Sequence, residues 1–141
     1  MALEIDKYLG KRYKLKSSDN FDEYLKAIDV GLISRKLGTS LSPSTELTKN
    51  DDGSYSLTFV TPIRTVIITF KLGEEFSEER ADGVKVKSKM YMEGDKLVQS
   101  QVEDSGRKSI HTREFSDTSL IVTSTVDGWD GKCVRVYELV Q

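Results

Sequence analysis

The feature that most constrains the fold of this chain is a series of turn signals after Pro43, which follow one another about every ten residues. Most of them combine glycine with aspartate, asparagine or serine, residues that favour turns. They lie at residues 50–53, 72–73, 81–83, 93–95, 104–106, 116–117 and 127–131. Short turns at such regular intervals predict an all-β protein, either a sandwich or an up-and-down barrel.

The segments between these turns alternate between polar and apolar residues, as half-buried strands do. The clearest apolar sets are Tyr55, Leu57 and Phe59; Val66, Ile68, Phe70 and Leu72; and Val84, Val86, Met90 and Met92. With a first strand over residues 11–17, we count ten candidate strands in the sequence. About eight strands make a barrel that side chains nearly fill, whereas more strands enclose a larger space. The strand count therefore favours a container.

Two short helices are predicted between the first and second strands. One apolar stripe has the spacing i, i+3, i+4 and i+7 of a helix: Phe21, Tyr24, Leu25 and Ile28. We expect Asn20 to cap this helix and Glu23 to complete a capping box. A second helix is predicted over residues 32–41. The two helices would form a cap on the strands.

Composition limits the functions that this chain can have. Its 141 residues suggest one domain over residues 1–141, and its net charge of -2 gives no strong attraction to nucleic acid. The second helix offers only Arg35 and Lys36 where a DNA-recognition helix would be basic. The N-terminus resembles no signal peptide, and the single cysteine, Cys133, excludes an internal disulfide, so we expect a reducing cytosol.

One histidine and one cysteine also limit catalysis. Neither His111 nor Cys133 lies in a nucleophile motif, and no ligand spacing indicates zinc. We therefore expect a protein that is not an enzyme and that needs no cofactor.

The last predicted strand permits two interpretations. One of its faces carries Cys133, Arg135, Tyr137 and Leu139, and the other carries Val134, Val136 and Val140. If the valines face inward, Arg135 is an ordinary surface residue, and the rarity of buried arginine favours this interpretation. If the other face points inward, a buried cation lies beside a phenol and needs an anionic partner. Alternation alone does not choose between them.

Five segments, in this order and spacing, are similar to one known family over almost the whole chain. They are KRYKL at 11–15, NFDEYL at 20–25, FKLGEEF at 70–76, ADGVKVKS at 81–88 and CVRVY at 133–137. The chain resembles the intracellular lipid-binding proteins, which include fatty-acid-binding and cellular retinoid-binding proteins. The resemblance implies a ten-stranded antiparallel up-and-down β-barrel (a β-clam), with a two-helix lid between its first two strands and a wet cavity inside.

The same resemblance implies an intracellular carrier of a long-chain fatty acid. Family members hold the carboxylate with two arginines and a tyrosine, which correspond here to Arg113, Arg135 and Tyr137. Members that carry a neutral alcohol tend to have glutamine at the arginine positions, so an acid ligand is expected. Further cavity or entrance positions implied by the resemblance are Phe21, Tyr24, Pro43, Ile63, Ala81 and Asp82. For Phe21 and Tyr24, simple docking of the helix on the barrel is an equal alternative.

Two alternatives to a fatty-acid carrier stay open. One is a carrier of retinoic acid, and the other is a membrane-surface or protein-interaction module that uses the barrel as a scaffold. Lys26, Arg35 and Lys36 could attract acidic membranes, and in some family members these positions form a nuclear-import signal. We expect a monomer in the cytoplasm, with possible entry into the nucleus.

The turn before the last strand departs from the family pattern. Residues 128–132 make it about two residues longer than in the family, and a slip of one residue would turn Arg135 outward.

Overall fold

A computed structural model describes residues 3–80 and 82–140 of the chain. A short 3₁₀ helix, Glu4–Tyr8, precedes the first strand, β1 (Arg12–Asp19). Two α-helices follow, α1 (Phe21–Ala27) and α2 (Leu32–Ser40). The other strands are β2 (Ser44–Lys49), β3 (Tyr55–Val60), β4 (Thr65–Phe70), β5 (Glu75–Glu79), β6 (Lys85–Glu93), β7 (Lys96–Glu103), β8 (Lys108–Phe115), β9 (Ser119–Val126) and β10 (Cys133–Leu139).

The ten strands form one sheet in the order β4-β3-β2-β1-β10-β9-β8-β7-β6-β5, and neighbouring strands run antiparallel. Because β1 pairs with both β2 and β10, the first and last strands lie side by side. The strands β4 and β5 are the two ends of this order, so the barrel is nearly closed. The predicted ten-stranded barrel with a two-helix lid between its first two strands is confirmed.

Alternation along the strands separates the barrel interior from its surface. On β6, Val86, Ser88 and Met90 are buried, and the lysines between them are exposed. The largest apolar cluster contains residues that are at most 3% exposed and includes Ile5 of the 3₁₀ helix: Ile5, Leu47, Tyr55, Leu57, Phe70, Met90 and Leu97. Burial of each of these side chains stabilises the barrel by about 1.5–3 kcal/mol.

The lid is attached to the barrel through α1. Tyr24 and Ile28 pack against Val126 and Cys133, whereas α2 has no buried residue among those described. The helix α2 therefore covers the barrel without a buried side chain, and most of its residues are exposed to solvent. None of the described helices combines the length and the apolar character needed to cross a bilayer.

Asn20 occupies the predicted N-cap position of α1, but the predicted capping box with Glu23 is absent. Asn20 has a left-handed backbone with a φ of 63°, and its side chain makes no capping bond. Its amide instead donates to the carbonyl oxygen of Lys132 at 3.1 Å, in the loop before β10. A long-range contact has replaced the local one, so Asn20 joins the start of the lid to the last turn of the barrel.

The long turn before β10 contributes the side chain of Trp129 to the apolar packing under the lid. Trp129 lies against the cluster under the lid, with its ring centre 6.0 Å from that of Tyr24. The pairing of β9 with β10 is continuous from Cys133 opposite Ser124 onward. The additional residues therefore extend the loop without interrupting the strand register.

Candidate functional site

A cavity of about 710 Å³ lies inside the barrel, between α2 and the strands β3, β4, β5, β7 and β8. Its volume is within the range of about 300–1,000 Å³ that small-molecule sites occupy. Apolar side chains form one part of its wall: Leu37, Leu41, Phe59, Val66, Ile68 and Phe76. Charged and amide side chains form another part: Glu78, Arg80, Gln99, Gln101, His111 and Arg113. A ligand with an apolar body and one polar end would match this division.

Arg113 is a cation held inside the barrel. It lies on β8 opposite Leu97 of β7, it is 7% exposed, and its Nη1 donates to Oε1 of Gln99 at 2.9 Å. Burial lowers the pKa of Arg113 to about 10, while the charges of Tyr137 and Glu78 act in the opposite direction. The guanidinium therefore stays charged at neutral pH and provides an anchor for an anion.

Glu78 on β5 faces the same cavity. Its Oε1 accepts hydrogen bonds from the side-chain amides of Gln99 at 2.6 Å and Gln101 at 2.9 Å, and from the hydroxyl of Ser88. All three donors are buried, with at most 7% of their surface exposed. Because side chains on two neighbouring strands fix this carboxylate, it has a defined position rather than a mobile one.

His111 lies beside Arg113 on the cavity wall. Its Nε2 is 2.8 Å from Oε1 of Gln101, and its Nδ1 is 2.6 Å from Oγ of Ser124. Burial, with help from the charges of Arg113 and Arg80, lowers the pKa of His111 to about 3. A histidine with so low a pKa is a poor general base, so its contact with Ser124 does not make an activated nucleophile.

The last strand turns its cysteine–arginine–tyrosine face inward, since Cys133 is 1% and Tyr137 is 5% exposed. Arg135 lies between them, but its guanidinium does not extend to Arg113. It lies 3.8 Å from the ring centre of Phe21 on α1, and its Nε donates to Oγ of Ser18 at 3.0 Å. Arg135 therefore connects the last strand to the lid, and within residues 3–80 and 82–140 neither it nor Tyr137 belongs to the cavity wall.

The remaining predicted site residues have different environments. Ile63 lines the cavity and is 62% exposed, as expected at an entrance. Tyr24 is buried under the lid and docks α1 on the barrel. The carbonyl of Pro43 accepts from the amide of Leu15, and Asp82 pairs with Arg80 at 2.9 Å. The predicted position Ala81 lies outside the described residues.

The three lid cations proposed for membrane contact are not equivalent. Arg35 is held inside the lid, because it donates to a carboxylate oxygen of Asp22 at 3.0 Å and to the carbonyl of Val30 at 2.7 Å. Lys26 lies within 3.6 Å of the same aspartate. Lys36 is exposed. Arg35 is thus a connection between α1 and α2, and within the described residues Lys36 is the one of the three cations that makes no ion pair.

A chain of ion pairs fastens the end of α1 to the barrel. Arg107, in the turn between β7 and β8, donates to the carbonyl of Ala27 and to Asp29 at 2.9 and 3.0 Å. It also pairs with Glu103 at 2.8 Å, and Glu103 pairs with Arg80 at 3.2 Å. The bond from Arg107 is the largest cause of a lowered pKa at Glu103. These contacts connect the lid to the charged wall of the cavity.

The sequence analysis did not identify six charged or amide residues of the cavity wall: Arg64, Glu78, Glu79, Arg80, Gln99 and Gln101. Alternation could have predicted that two of them face inward. Glu78 shares its face of β5 with Phe76, and Gln99 shares its face of β7 with the buried Leu97. No group of three or more histidine, cysteine or acidic side chains in the described residues could hold a metal.

Comparison with known proteins gives consistent matches over nearly the full length of the chain. The sequence profile described as "Lipocalin / cytosolic fatty-acid binding protein family" matches residues 9–138. The muscle fatty acid-binding protein of Schistocerca gregaria is 47% identical over 95% of this chain and 98% of its own.

Two solved structures extend these matches to three dimensions. A fatty acid-binding protein from Drosophila melanogaster brain tissue is 48% identical, with a TM-score of 0.85 over 93% of this chain and 98% of its own. A Schistosoma mansoni fatty acid binding protein in complex with arachidonic acid is 29% identical, with a TM-score of 0.88 over 98% of this chain and 99% of its own.

Proposed function

This chain belongs to the lipocalin / cytosolic fatty-acid binding protein family, and we propose that it is a non-enzymatic carrier of a long-chain fatty acid. The observation that carries this proposal is the buried cation Arg113 in the polar part of a cavity wall whose other part is apolar. A lone buried guanidinium is costly, and so is a lone buried carboxylate, whereas the two neutralise each other. A fatty acid supplies the carboxylate together with an apolar chain for the rest of the cavity.

The two parts of the ligand have different tasks. The hydrocarbon chain provides most of the affinity, at ~0.8 kcal/mol for each buried CH₂ group. The carboxylate mainly orients the ligand in the cavity, because the cost of desolvating both charges offsets most of their Coulomb attraction. Arg113 can grip both carboxylate oxygens with its planar group. It therefore selects an acid over a neutral lipid of the same length.

Arg135 and Tyr137 do not line the cavity in the described part of the chain, and we propose that they join the carboxylate site when the ligand binds. Tyr137 is buried on the inward face of β10, and its hydroxyl can donate to a carboxylate without adding a cation. Arg135 shares the inward face of β10, and its contact with Phe21 is a cation–π contact that a carboxylate can replace. Binding of the ligand by Arg135 would then loosen its contact with the lid.

Titration calorimetry with oleate and with oleyl alcohol tests the proposal. We expect Arg113→Gln to weaken oleate binding by about 2 kcal/mol or more, roughly thirtyfold, because it leaves a buried carboxylate without its partner. Binding of the neutral alcohol should change little. Arg12→Gln is the control, since it removes a cation whose side chain is 55% exposed on the outer surface. Unchanged oleate affinity in the Arg113 variant would contradict the assignment, and Arg135→Gln tests the second arginine in the same way.

A carrier, rather than an enzyme, also agrees with the chemistry of the cavity. Its histidine is held neutral by a pKa of about 3, and the adjacent Ser124 is 6% exposed. The proposal includes a cytoplasmic location, with possible entry into the nucleus, and transient contact with acidic membranes through the lid. Of the lid cations Lys26, Arg35 and Lys36, Lys36 would contribute most to that contact, because the other two are paired.

Native mass spectrometry of the purified protein separates the alternatives. Co-purified fatty acid supports the proposal, co-purified retinoid supports the second carrier hypothesis, and a lipid-free protein that binds only anionic vesicles supports the scaffold hypothesis. The mass also tests the expectation of a monomer. Competition between oleate and retinoic acid then ranks the two acids directly.

A further inference from the structure

The polar wall of the cavity contains a carboxylate as well as cations, which is unexpected in a site for an anion. Arg113 and Glu78 are joined through one side chain, since the amide group of Gln99 donates to Glu78 at 2.6 Å and its oxygen accepts from Arg113 at 2.9 Å. The cation and the anion are thus two hydrogen bonds apart. Burial lowers the pKa of Arg113 to about 10, and the negative charge of Glu78 offsets part of that lowering.

All three hydrogen bonds at Glu78 are donated to its carboxylate oxygen. A carboxylate only accepts, so both glutamines direct their NH₂ groups toward Glu78 and their oxygens toward Arg113 or His111. His111 must then donate from Nε2 to Gln101, and its Nδ1 accepts from the hydroxyl of Ser124. The charge of Glu78 therefore orients the whole polar wall, including the tautomer of the histidine.

Three other charged residues line the cavity, and two of them, Arg64 and Glu79, are exposed, so solvent screens their charges. Arg80 lines the same cavity but pairs with both Asp82 and Glu103. Its charge is largely neutralised by those two carboxylates. The balance between Arg113 and Glu78 thus determines how strongly this wall attracts an added anion.

We propose that Glu78 is a specificity-determining residue: it acts as the resident counter-ion of Arg113 and limits the preference of the cavity for anionic over neutral ligands. In the empty protein, Glu78 stabilises the buried guanidinium. When a ligand carboxylate reaches Arg113, the two anions repel each other, and this repulsion reduces the affinity for the acid but not for an uncharged lipid. The inference rests on the proposed function, because it concerns how the same cavity ranks its ligands.

The test compares Glu78→Gln with a control on the same strand. Glutamine keeps the size of the side chain and an oxygen that can accept from Ser88, Gln99 and Gln101, but it removes the charge. Glu75→Gln is the matched control, because it removes the same charge from β5 at a side chain that is 64% exposed. Calorimetry gives the ratio of the dissociation constants of oleyl alcohol and oleate for each protein.

We expect Glu78→Gln to raise this ratio about tenfold, through tighter oleate binding, and Glu75→Gln to leave it unchanged. An unchanged or lowered ratio in Glu78→Gln, or an equal rise in Glu75→Gln, would overturn the inference while leaving the proposed function intact. If the wild-type protein binds no oleate, both proposals fail.

Thermal unfolding provides a second measurement that does not depend on the alcohol. Without its counter-ion the buried guanidinium destabilises the empty protein, so Glu78→Gln should have a lower Tm when empty and a larger rise in Tm on adding oleate. A variant with a smaller rise in Tm than the wild type would contradict the counter-ion role.

Discussion

Acidification should destabilise this protein through its only histidine. His111 has a pKa of about 3 in the folded state, because burial and two nearby arginines oppose its protonation. In the unfolded chain its pKa returns to about 6.5. Between these two values the unfolded state binds a proton that the native state does not, so the free energy of unfolding falls as the pH falls. Above about pH 6.5 the neutral His111 costs no stability, and the free energy of unfolding decreases progressively as the pH falls from about 6.5 to about 3.

The magnitude follows from the two pKa values. Lowering the pH from about 7 to about 5 should cost about 2 kcal/mol of unfolding free energy from His111 alone. Urea denaturation at both pH values measures it, and His111→Gln, which can still make hydrogen bonds, is the comparison. The variant should lose most of the pH dependence in this interval.

A direct observation of the imidazole gives an independent check. Since the chain has one histidine, its NMR signals in the folded protein are unambiguous, and they should show no titration between about pH 5 and 8. An imidazole that titrates near pH 6.5 in the folded protein, or a variant with the full pH dependence, would refute the reasoning.

Three further substitutions test the packing by urea denaturation. Gly131→Ala should destabilise by about 1–3 kcal/mol, because its Cβ would lie 2.6 Å from a ring carbon of Trp129, and a neutral effect would mean that the ring moves aside freely. Leu97→Ala should cost about 2–5 kcal/mol, since Leu97 is completely buried, and a loss under 1 kcal/mol would show that the cluster collapses around it. Tyr13→Phe should cost about 1 kcal/mol, because it removes the hydrogen bond to the carbonyl of Ser116 at 2.9 Å, and an unchanged midpoint would show that this bond adds no net stability.

Local patterns in the sequence were sufficient for the architecture. The turn signals and the alternation predicted ten strands and two helices between the first and second strands, and the barrel has them. His111 and Arg113 are two residues apart in the sequence, so alternation places them on one face of β8, and both line the cavity. These predictions succeed because alternation is a property of neighbouring residues, which side-chain direction in a strand determines directly.

Only the tertiary structure decided which face of the last strand points inward and what its residues contact. Alternation alone did not choose the face, the rarity of buried arginine favoured an exposed Arg135, and the family resemblance favoured an inward one. The arginine does share the inward face, but its charge lies against Phe21 of the lid. The link between Glu78 and Arg113 likewise joins two strands through a third, β7. The side chain of Asn20, predicted to form a local capping box, instead donates a hydrogen bond to the carbonyl of Lys132, 112 positions away. Such contacts depend on how distant strands come together when the barrel closes, and no pattern among neighbouring residues determines that.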